Sequence, residues 1–144
     1  MRILIVEDNR TNLILMKKLM EPFGEIAIAV NGAEAIDLYD ASITANQPYE
    51  LIILDIMMPV VDGRSVLFHI RSNEQSHSEL SKTKIVVASA MGDEDTVQTM
   101  VKYRCDAYLR KPIDRNILIE RLHELDIWEN NQPKELEKEE EKLG

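Results

Sequence analysis

The sequence predicts a doubly wound α/β protein in which five strands form one parallel sheet and helices cover both of its faces. Two observations support this prediction: five short apolar runs are spaced along the chain, and the segments between them repeat apolar residues every three or four positions. Continuous apolar runs are typical of parallel strands that are covered on both faces. Regular alternation of strand and helix favours (βα)5 connectivity through right-handed crossovers.

The five strands are predicted at the apolar runs. In chain order the runs are ILIV at 3–6, IAIAV at 26–30, LIIL at 51–54, IVVA at 85–88 and AYL at 107–109. None of the first four alternates apolar with polar residues, as a strand with one solvated face would. The fifth run is the weakest of the set.

The helices are predicted from apolar spacing, because residues three or four apart place one apolar stripe against the sheet. In chain order these residues are Leu13, Met16 and Met20; Ile36, Tyr39 and Ile43; Val66 and Ile70; Val97, Met100 and Val101; and Leu118, Leu122 and Leu125. The predicted boundaries agree with this spacing: Gly24 follows the first helix, Asn31-Gly32 precedes the second, Gly63 opens the third and Gly92-Asp93 opens the fourth.

Length and composition restrict the function classes. With 144 residues, of which 44% are hydrophobic, the chain has room for one globular domain and no second one. The net charge of −9 argues against DNA binding and against binding to anionic membranes, because both depend on clustered Lys and Arg. The single cysteine, Cys105, excludes an internal disulfide, and neither a signal peptide nor a membrane span is expected. A soluble, cytoplasmic protein is therefore predicted.

Two segments depart from the strand and helix pattern. The domain, residues 1–126, is expected to be followed by an acidic tail at 127–144, disordered or a frayed helix, in which residues 129–144 hold six Glu and three Lys. Residues 72–84 are polar without a clear period, and we interpret them as the end of the third helix followed by a long solvated loop. His69 and His77 are interpreted as solvated surface rather than as metal ligands, because no carboxylate or thiol lies at ligand spacing from them in the sequence.

Reactive side chains follow four of the five predicted strands. Glu7 and Asp8 follow the first strand, Asp55 the third and Ser89 the fourth, and Lys111 lies just past the fifth. Ligands bind at the carboxyl edge of an open parallel sheet, and the three acids converge there if strands one and three are neighbours, ~4.8 Å apart. Two carboxylates ~5 Å apart repel by ~3 kcal/mol at an effective dielectric of about 20, and a divalent cation removes this cost. Oxygen ligands alone favour Mg²⁺, and Lys111 and Ser89 complete a pocket for a tetrahedral anion beside Asp55.

Four short motifs give the chain a family resemblance over about residues 1–126. The motifs are LIVEDN at 4–9, ILDIMMPVVDG at 53–63, VVASA at 86–90 and YLRKPI at 108–113. In their order and separation they resemble the receiver domains of two-component response regulators. The resemblance implies a flavodoxin-like fold with strand order 2-1-3-4-5. It also implies that Asp55 accepts a phosphoryl group from a phosphohistidine of a sensor kinase or a histidine phosphotransfer protein.

The resemblance implies a chemical role for five residues. Asp55 would be the nucleophile and the phosphorylation site. Asp8 would bind Mg²⁺ directly, Glu7 would bind it through water, and the backbone carbonyl of Met57 would be a third protein ligand. Lys111 would bind a phosphoryl oxygen.

Further residues are implied as a switch or as the border of the phosphate pocket. Ser89 would hydrogen-bond the phosphoryl group, and Tyr108 would swing inward behind it. Met91, Ala90 and Pro112 would border the pocket, with a cis peptide bond before Pro112. Position 89 is Ser where the family more often has Thr, so the coupling to Tyr108 is expected to be looser.

The output is predicted to be protein binding rather than enzymatic activity, because no DNA-binding or catalytic segment is expected after the fifth helix. The switched surface is predicted where the fourth helix, fifth strand and fifth helix meet, around Tyr108. VEDNRTN at 6–12 resembles receivers of hybrid kinases, whereas a start at Met1 favours a stand-alone chain. A single-domain regulator, a phosphorelay intermediate and a hybrid-kinase receiver therefore stay open. A phosphohydrolase of the haloacid dehalogenase kind is disfavoured, because Met57 stands where that family has a second acid.

Overall fold

The computed structural model describes residues 1–55, 63–77, 82–90, 98, 101–102 and 104–125. Its strands are β1 (Arg2–Val6), β2 (Glu25–Ala29), β3 (Leu51–Asp55), β4 (Lys84–Ser89) and β5 (Ala107–Arg110). Its helices are α1 (Arg10–Met20), α2 (Gly32–Thr44), α3 (Gly63–Ser76) and α4 (Arg115–Glu124), with a 3₁₀ turn at Glu21–Phe23. Helix α4 is the fifth helix of the sequence prediction, because most of the predicted fourth helix lies outside the described residues.

The strands form one parallel sheet in the order β2-β1-β3-β4-β5, which confirms the predicted order. Strand β1 lies between β2 and β3, with Leu4 paired to Ala27 on one side and to Ile52 on the other. All five strands therefore end at the same edge of the sheet, and the strand order reverses between β1 and β3. Ligands bind at this position in open α/β sheets.

Helices cover both faces because successive strand side chains point to opposite sides of the sheet. Leu4 and Ile52 belong to the core on the side of α2 and α3, together with Tyr39 of α2. Ile3 and Ile53 belong to the core on the side of α1 and α4. Both faces are buried, which explains why the strands appear in the sequence as continuous apolar runs.

Three of the described helices begin at a side chain that caps the first turn. Asn9 caps α1, Asn31 caps α2 and Asp114 caps α4, each accepting hydrogen bonds of 2.8–3.1 Å from backbone N–H groups. Such caps satisfy donors that have no partner within the helix. Asn9 follows Asp8 directly, and Asp114 lies three residues after Lys111, so the caps also fix the segments that carry the site.

Residues 72–76 complete helix α3, as expected, but the polar segment at 72–84 is not solvated throughout. Glu74 and Thr83 are buried, with 8% and 2% of their surface exposed. Both contact Arg71, a residue that the sequence analysis did not single out. A polar segment can be buried in this way when its polar groups pair with one another.

His69 is partly exposed, and it has an acidic partner in the folded molecule. Its Nε2 lies 2.7 Å from Oδ1 of Asp40, an acid that lies on α2, 29 positions away in the chain. The partner was missed because it is close only in the folded molecule. Among the described residues, neither His69 nor His77 belongs to a cluster of three or more potential metal ligands.

Several predictions fall on residues outside the described set. Met57, Met91 and the tail at 127–144 are among them, so the domain boundary at residue 126 stays a prediction. No helix in the described part of the chain combines the length and apolarity needed to cross a bilayer.

Gly24 lies where a side chain would meet the backbone. Its φ is +158°, and a Cβ at this position would lie 2.0 Å from the carbonyl oxygen of Met1. That oxygen accepts the N–H of Glu25 at 2.9 Å, where β2 begins beside β1. We expect Gly24→Ala to lower the free energy of unfolding by about 1–3 kcal/mol. Urea denaturation measures this change, and an unchanged midpoint would contradict the expectation.

Candidate functional site

The ends of β1 and β3 bring three carboxylates together. Glu7 and Asp8 follow β1, and Asp55 is the last residue of β3; one carboxylate oxygen from each lies within 4.8 Å of the other two. Glu7 and Asp55 are buried, and Asp8 is exposed. The predicted convergence is confirmed, and it follows from the pairing of β1 with β3 in parallel register.

Lys111 brings a positive charge to this cluster. Its Nζ lies 2.6 Å from Oε2 of Glu7 and 3.3 Å from Oδ2 of Asp55. The backbone N–H of Lys111 donates to the carbonyl oxygen of Ser89 at 2.8 Å, which holds the lysine beside the end of β4. The peptide bond between Lys111 and Pro112 is cis, as the resemblance implied.

Glu7 is held by three hydrogen-bond donors. Besides Lys111, the side-chain amide of Asn12 donates to its Oε1 at 3.3 Å, and the backbone N–H of Asn9 donates to the same oxygen at 3.4 Å. Asn12 was not among the predicted site residues. Its position in VEDNRTN, one turn into the helix that follows Glu7, is the signal that could have identified it.

The charges in the cluster do not balance. Three carboxylates face one ammonium group, and Asp8 has no cationic side chain paired with it among the described residues. Carboxylates at such distances repel one another by a few kcal/mol at an effective dielectric of about 20. A small divalent cation would remove this repulsion, and a donor set of carboxylate oxygens without His or Cys fits Mg²⁺ better than Zn²⁺.

The other predicted pocket residues lie at the ends of β4 and β5. Ser89 ends β4 and is fully buried, one position past the residue that is paired with Asp55. Tyr108 in β5 is half-buried and packs against the core on the side of α2 and α3. Ala90 and Pro112 are exposed. The structure thus brings Ser89 to the same edge of the sheet as the acids. Tyr108 lies further from that edge, within β5.

Residues 3–123 match the family described as "Response regulator receiver domain". The chain belongs to this family. The matched residues include the three carboxylates, Ser89 and Lys111, so the whole acidic cluster lies inside the receiver domain.

A curated relative comes from a sensor protein. The receiver domain is 31% identical over 117 residues to Sensor protein GacS of Pseudomonas syringae pv. syringae, an alignment that covers 81% of this chain and 12% of GacS. The chain therefore spans about an eighth of the length of that relative. Together with the family match, this similarity identifies the chain as a receiver of two-component phosphorelay signalling.

Two solved structures have the same fold as this receiver domain. A chain of the CheX-CheY-BeF3-Mg²⁺ complex from Borrelia burgdorferi has a TM-score of 0.73 and 24% identity, and the match covers 86% of this chain and 87% of that one. A chain of the co-crystal of the Saccharomyces cerevisiae histidine phosphotransfer signalling protein Ypd1 with the receiver domain of Ssk1 has a TM-score of 0.73 and 24% identity, with coverage of 85% and 86%. Both establish the flavodoxin-like fold.

An apolar groove adjoins the site of the receiver domain. It runs from Glu7, Asp55 and Lys111 along α1 and the segment after β5, and its apolar lining includes Leu15, Met16, Leu19 and Ile113. More than half of the Leu15 surface is exposed. The acidic cluster therefore opens onto an apolar surface on the α1 side.

Proposed function

We propose that this receiver domain accepts a phosphoryl group on Asp55 from a phosphohistidine, with Mg²⁺ held by the neighbouring carboxylates. The observation that supports the proposal is the convergence of Glu7, Asp8 and Asp55 with the ammonium group of Lys111 at one edge of the sheet. A single acid at a strand end is commonly a turn former or a helix cap, whereas four such groups in one place form a site.

In the proposed step, a carboxylate oxygen of Asp55 attacks the phosphorus atom of the phosphohistidine. The O–P bond forms as the N–P bond breaks, and the electron pair of the broken bond stays on the imidazole nitrogen. Burial at the end of a central strand holds Asp55 in position for this attack. Lys111 is close enough to Asp55 to neutralise one phosphoryl oxygen, and we assign to Ser89 a hydrogen bond to another.

Mg²⁺, when bound, would neutralise charge on the transferred phosphoryl oxygens. We assign Asp8 and Asp55 as direct ligands and Glu7 as a ligand through water. An indirect role suits Glu7, because its Oε2 already accepts a hydrogen bond from Lys111 at 2.6 Å. The backbone carbonyl of Met57, outside the described residues, is proposed as the third protein ligand.

The proposed phosphodonor is a sensor histidine kinase or a histidine phosphotransfer protein. Similarity to the sensor protein GacS supports this class of partner. The Ypd1 co-crystal gives a precedent in which a histidine phosphotransfer protein contacts a receiver of this fold. The apolar groove beside Asp55 offers such a donor a surface next to the acceptor.

The proposed output is regulated protein binding in the cytoplasm, without an enzymatic activity on a separate substrate and without DNA binding. A phosphoryl group adds roughly two negative charges at Asp55, enough to bias a surface with two conformations. We assign to Tyr108, which packs against the core on the side of α2 and α3, the link between the pocket and this surface. Val101, on the predicted fourth helix, has 63% of its surface exposed. Val97 and Tyr103, two further candidate contacts that the sequence offers near Val101, lie outside the described residues.

Tyr108→Ala tests the proposed switch. We expect the variant to be phosphorylated at the wild-type rate but to bind an output partner equally well with and without the phosphoryl group, because the link between pocket and surface is lost. A pull-down with each form, followed by mass spectrometry of the bound proteins, measures this discrimination. Discrimination equal to that of wild type would contradict the role of Tyr108.

The central proposal is tested by incubating the chain with acetyl phosphate and Mg²⁺ and measuring its intact mass. We expect a gain of one phosphoryl group that requires Mg²⁺ and is absent in Asp55→Asn. Asp8→Asn is expected to need far more Mg²⁺ for the same gain, because it removes a direct ligand. A phosphorylated Asp55→Asn variant, or modification of wild type without a divalent cation, would overturn the assignment.

A phosphorelay intermediate is the second candidate function. It is favoured by the alignment with GacS, in which a receiver occupies 12% of a longer protein. Adding a histidine phosphotransfer protein to the phosphorylated chain separates the two functions. Rapid transfer of the phosphoryl group to the added histidine indicates a relay, and retention on Asp55 indicates a terminal regulator.

A further inference from the structure

Two adjoining cavities form a positively charged groove at the sheet edge opposite the acidic cluster. They share Arg71, Gln75 and Arg104, and we call the combined surface the basic groove. Its outward cations are Lys82, Lys84, Lys102 and Arg104. Among the described residues, these four side chains have no carboxylate partner, although the whole chain has a net charge of −9.

Both carboxylates of the groove, Glu74 and Asp106, are paired with Arg71. Arg71 Nη1 donates to both oxygens of Glu74 at 2.9 and 3.1 Å and to the carbonyl of Thr83 at 2.8 Å. Its Nη2 donates to Asp106 at 2.7 Å, and its Nε donates to the carbonyl of Arg104 at 2.9 Å. We call these contacts the Arg71 network. The groove is lined by five cationic side chains, Arg71 and the four outward cations, and by these two carboxylates, so its net charge is positive.

We propose that the basic groove binds the acidic tail of the same chain, residues 127–144. The tail contains six acidic residues and three lysines. The tail lies outside the described residues. Three observations support the proposal: the sequence of the tail, the point at which it leaves the domain, and the surface available to it. The contact does not depend on phosphorylation and goes beyond the proposed function.

The tail begins at the correct edge of the sheet. In a βα unit the helix returns from the carboxyl edge to the amino edge, so the end of α4 at Leu125 lies at the edge where β4 and β5 begin. Lys84 is the first residue of β4, and Arg104 precedes β5 by three residues. Eighteen residues span up to ~60 Å when extended, more than the width of a small sheet.

The groove also has an apolar residue for the tail to contact. Phe68 lines it and has 61% of its surface exposed. The tail contains Trp128, Leu136 and Leu143 among its charged residues. Exposed aromatic surface beside unpaired cations fits an acidic segment with spaced apolar residues better than it fits a uniformly acidic ligand. A bound tail would cover the surface between α3 and the start of β5.

Another basic pair lies at the same edge and serves as a control. Lys17 and Lys18 lie in the last turn of α1, on the face of the sheet opposite to the basic groove, and are exposed. The groove is favoured because it is concave and has four outward cations. Reversing the charges of Lys17 and Lys18 should therefore leave the tail bound, whereas reversing the charges of two groove cations should release it.

The test compares amide NMR spectra of the full chain with those of a full-length variant in which Glu135, Glu137, Glu139, Glu140 and Glu141 are all glutamine. We expect the largest shift differences at Phe68, Lys84 and Arg104, and we expect them to disappear in 0.5 M salt, because screening between exposed charges is strong at that ionic strength. Lys82→Glu with Lys102→Glu should give the tail amides of the wild-type sequence the narrow signals of an unbound segment. Lys17→Glu with Lys18→Glu should leave them unchanged.

Three outcomes would overturn the proposal. Shifts centred on Lys17 and Lys18 would assign the tail to the other face, and the absence of shifts would mean that the tail stays unbound. Groove shifts that weaken on dilution would mean that the tail binds a second copy of the chain. No outcome depends on Asp55, so a failure here leaves the proposed phosphoryl transfer untouched.

Discussion

Arg71→Ala is expected to lower the free energy of unfolding by about 3–5 kcal/mol, because it leaves the buried carboxylate of Glu74 without its cation. The side chain of Arg71 is 13% exposed, and that of Glu74 only 5%. Arg71 connects α3 to the segment before β4 and to the segment before β5. Its removal therefore affects three parts of the chain at once.

Arg121→Ala is the matched control. Arg121 also forms an ion pair with a glutamate three positions away, Glu124, at 3.1 Å, but the two side chains are 38% and 55% exposed. Exposed pairs of this kind contribute about 0–1 kcal/mol. Urea denaturation of both variants measures the difference. Equal losses of unfolding free energy in the two variants would mean that the Arg71 network stabilises the fold no more than an exposed ion pair does.

The effect of Arg71→Ala is expected to depend on pH. Burial raises the pKa of Glu74, even though Arg71 and the N–H of Thr83 favour its charged form. A carboxyl with a folded-state pKa above its unfolded value binds a proton more readily when folded, so lowering the pH stabilises the folded state. Removing Arg71 raises this pKa further, and the variant should regain stability relative to wild type as the pH falls from neutral towards about 4.5. A constant difference over this range would argue against Glu74 as the cause.

Lys111→Met is the second substitution with a large expected effect. Without Mg²⁺ it should lower the free energy of unfolding by about 3 kcal/mol, since Glu7 and Asp55 are buried and lose their cation. Saturating Mg²⁺ should recover part of this loss, because a cation at the carboxylates replaces the missing positive charge. Thermal denaturation with and without Mg²⁺ measures both effects.

The same variant should react with acetyl phosphate about 10²–10³-fold more slowly than wild type, the usual effect of removing one preorganised group that stabilises developing charge. Lys18→Met removes the same charge from an exposed position on α1 and is expected to change neither stability nor rate beyond about 0.5 kcal/mol. Phosphorylation of Lys111→Met at the wild-type rate would exclude Lys111 from the transfer step. The stability change would still report on the resting contacts of Lys111.

Much of the fold could be predicted from local pattern. The strands at 3–6, 51–54 and 85–88 were recognisable because both of their faces are buried, and the structure places each within one residue of its predicted bounds. The convergence of Glu7, Asp8 and Asp55 followed from the rule that parallel strands end at one edge. Such features depend on periodicity and on position within an element, which are properties of neighbouring residues.

Other contacts depend on residues that are distant in sequence. Lys111 contacts Glu7 across 104 positions, and the choice of Glu7 as its closest partner depends on how β1 and the end of β5 approach each other. The ion pair between Arg71 and Asp106 joins positions 35 apart. No local pattern distinguishes these side chains from solvated ones, which is why the burial of Glu74 and Thr83 in the polar segment at 72–84 was not predicted.

The sequence by itself therefore determined the (βα)5 pattern, the reactive residues at the strand ends and the family motifs, because each is written in short runs of residues. The tertiary structure alone decided which polar groups pair: Asn12 with Glu7, His69 with Asp40, and Arg71 with its two carboxylates. Pairing depends on distances of a few ångströms between side chains from different elements, and these distances exist only after the helices pack against the sheet.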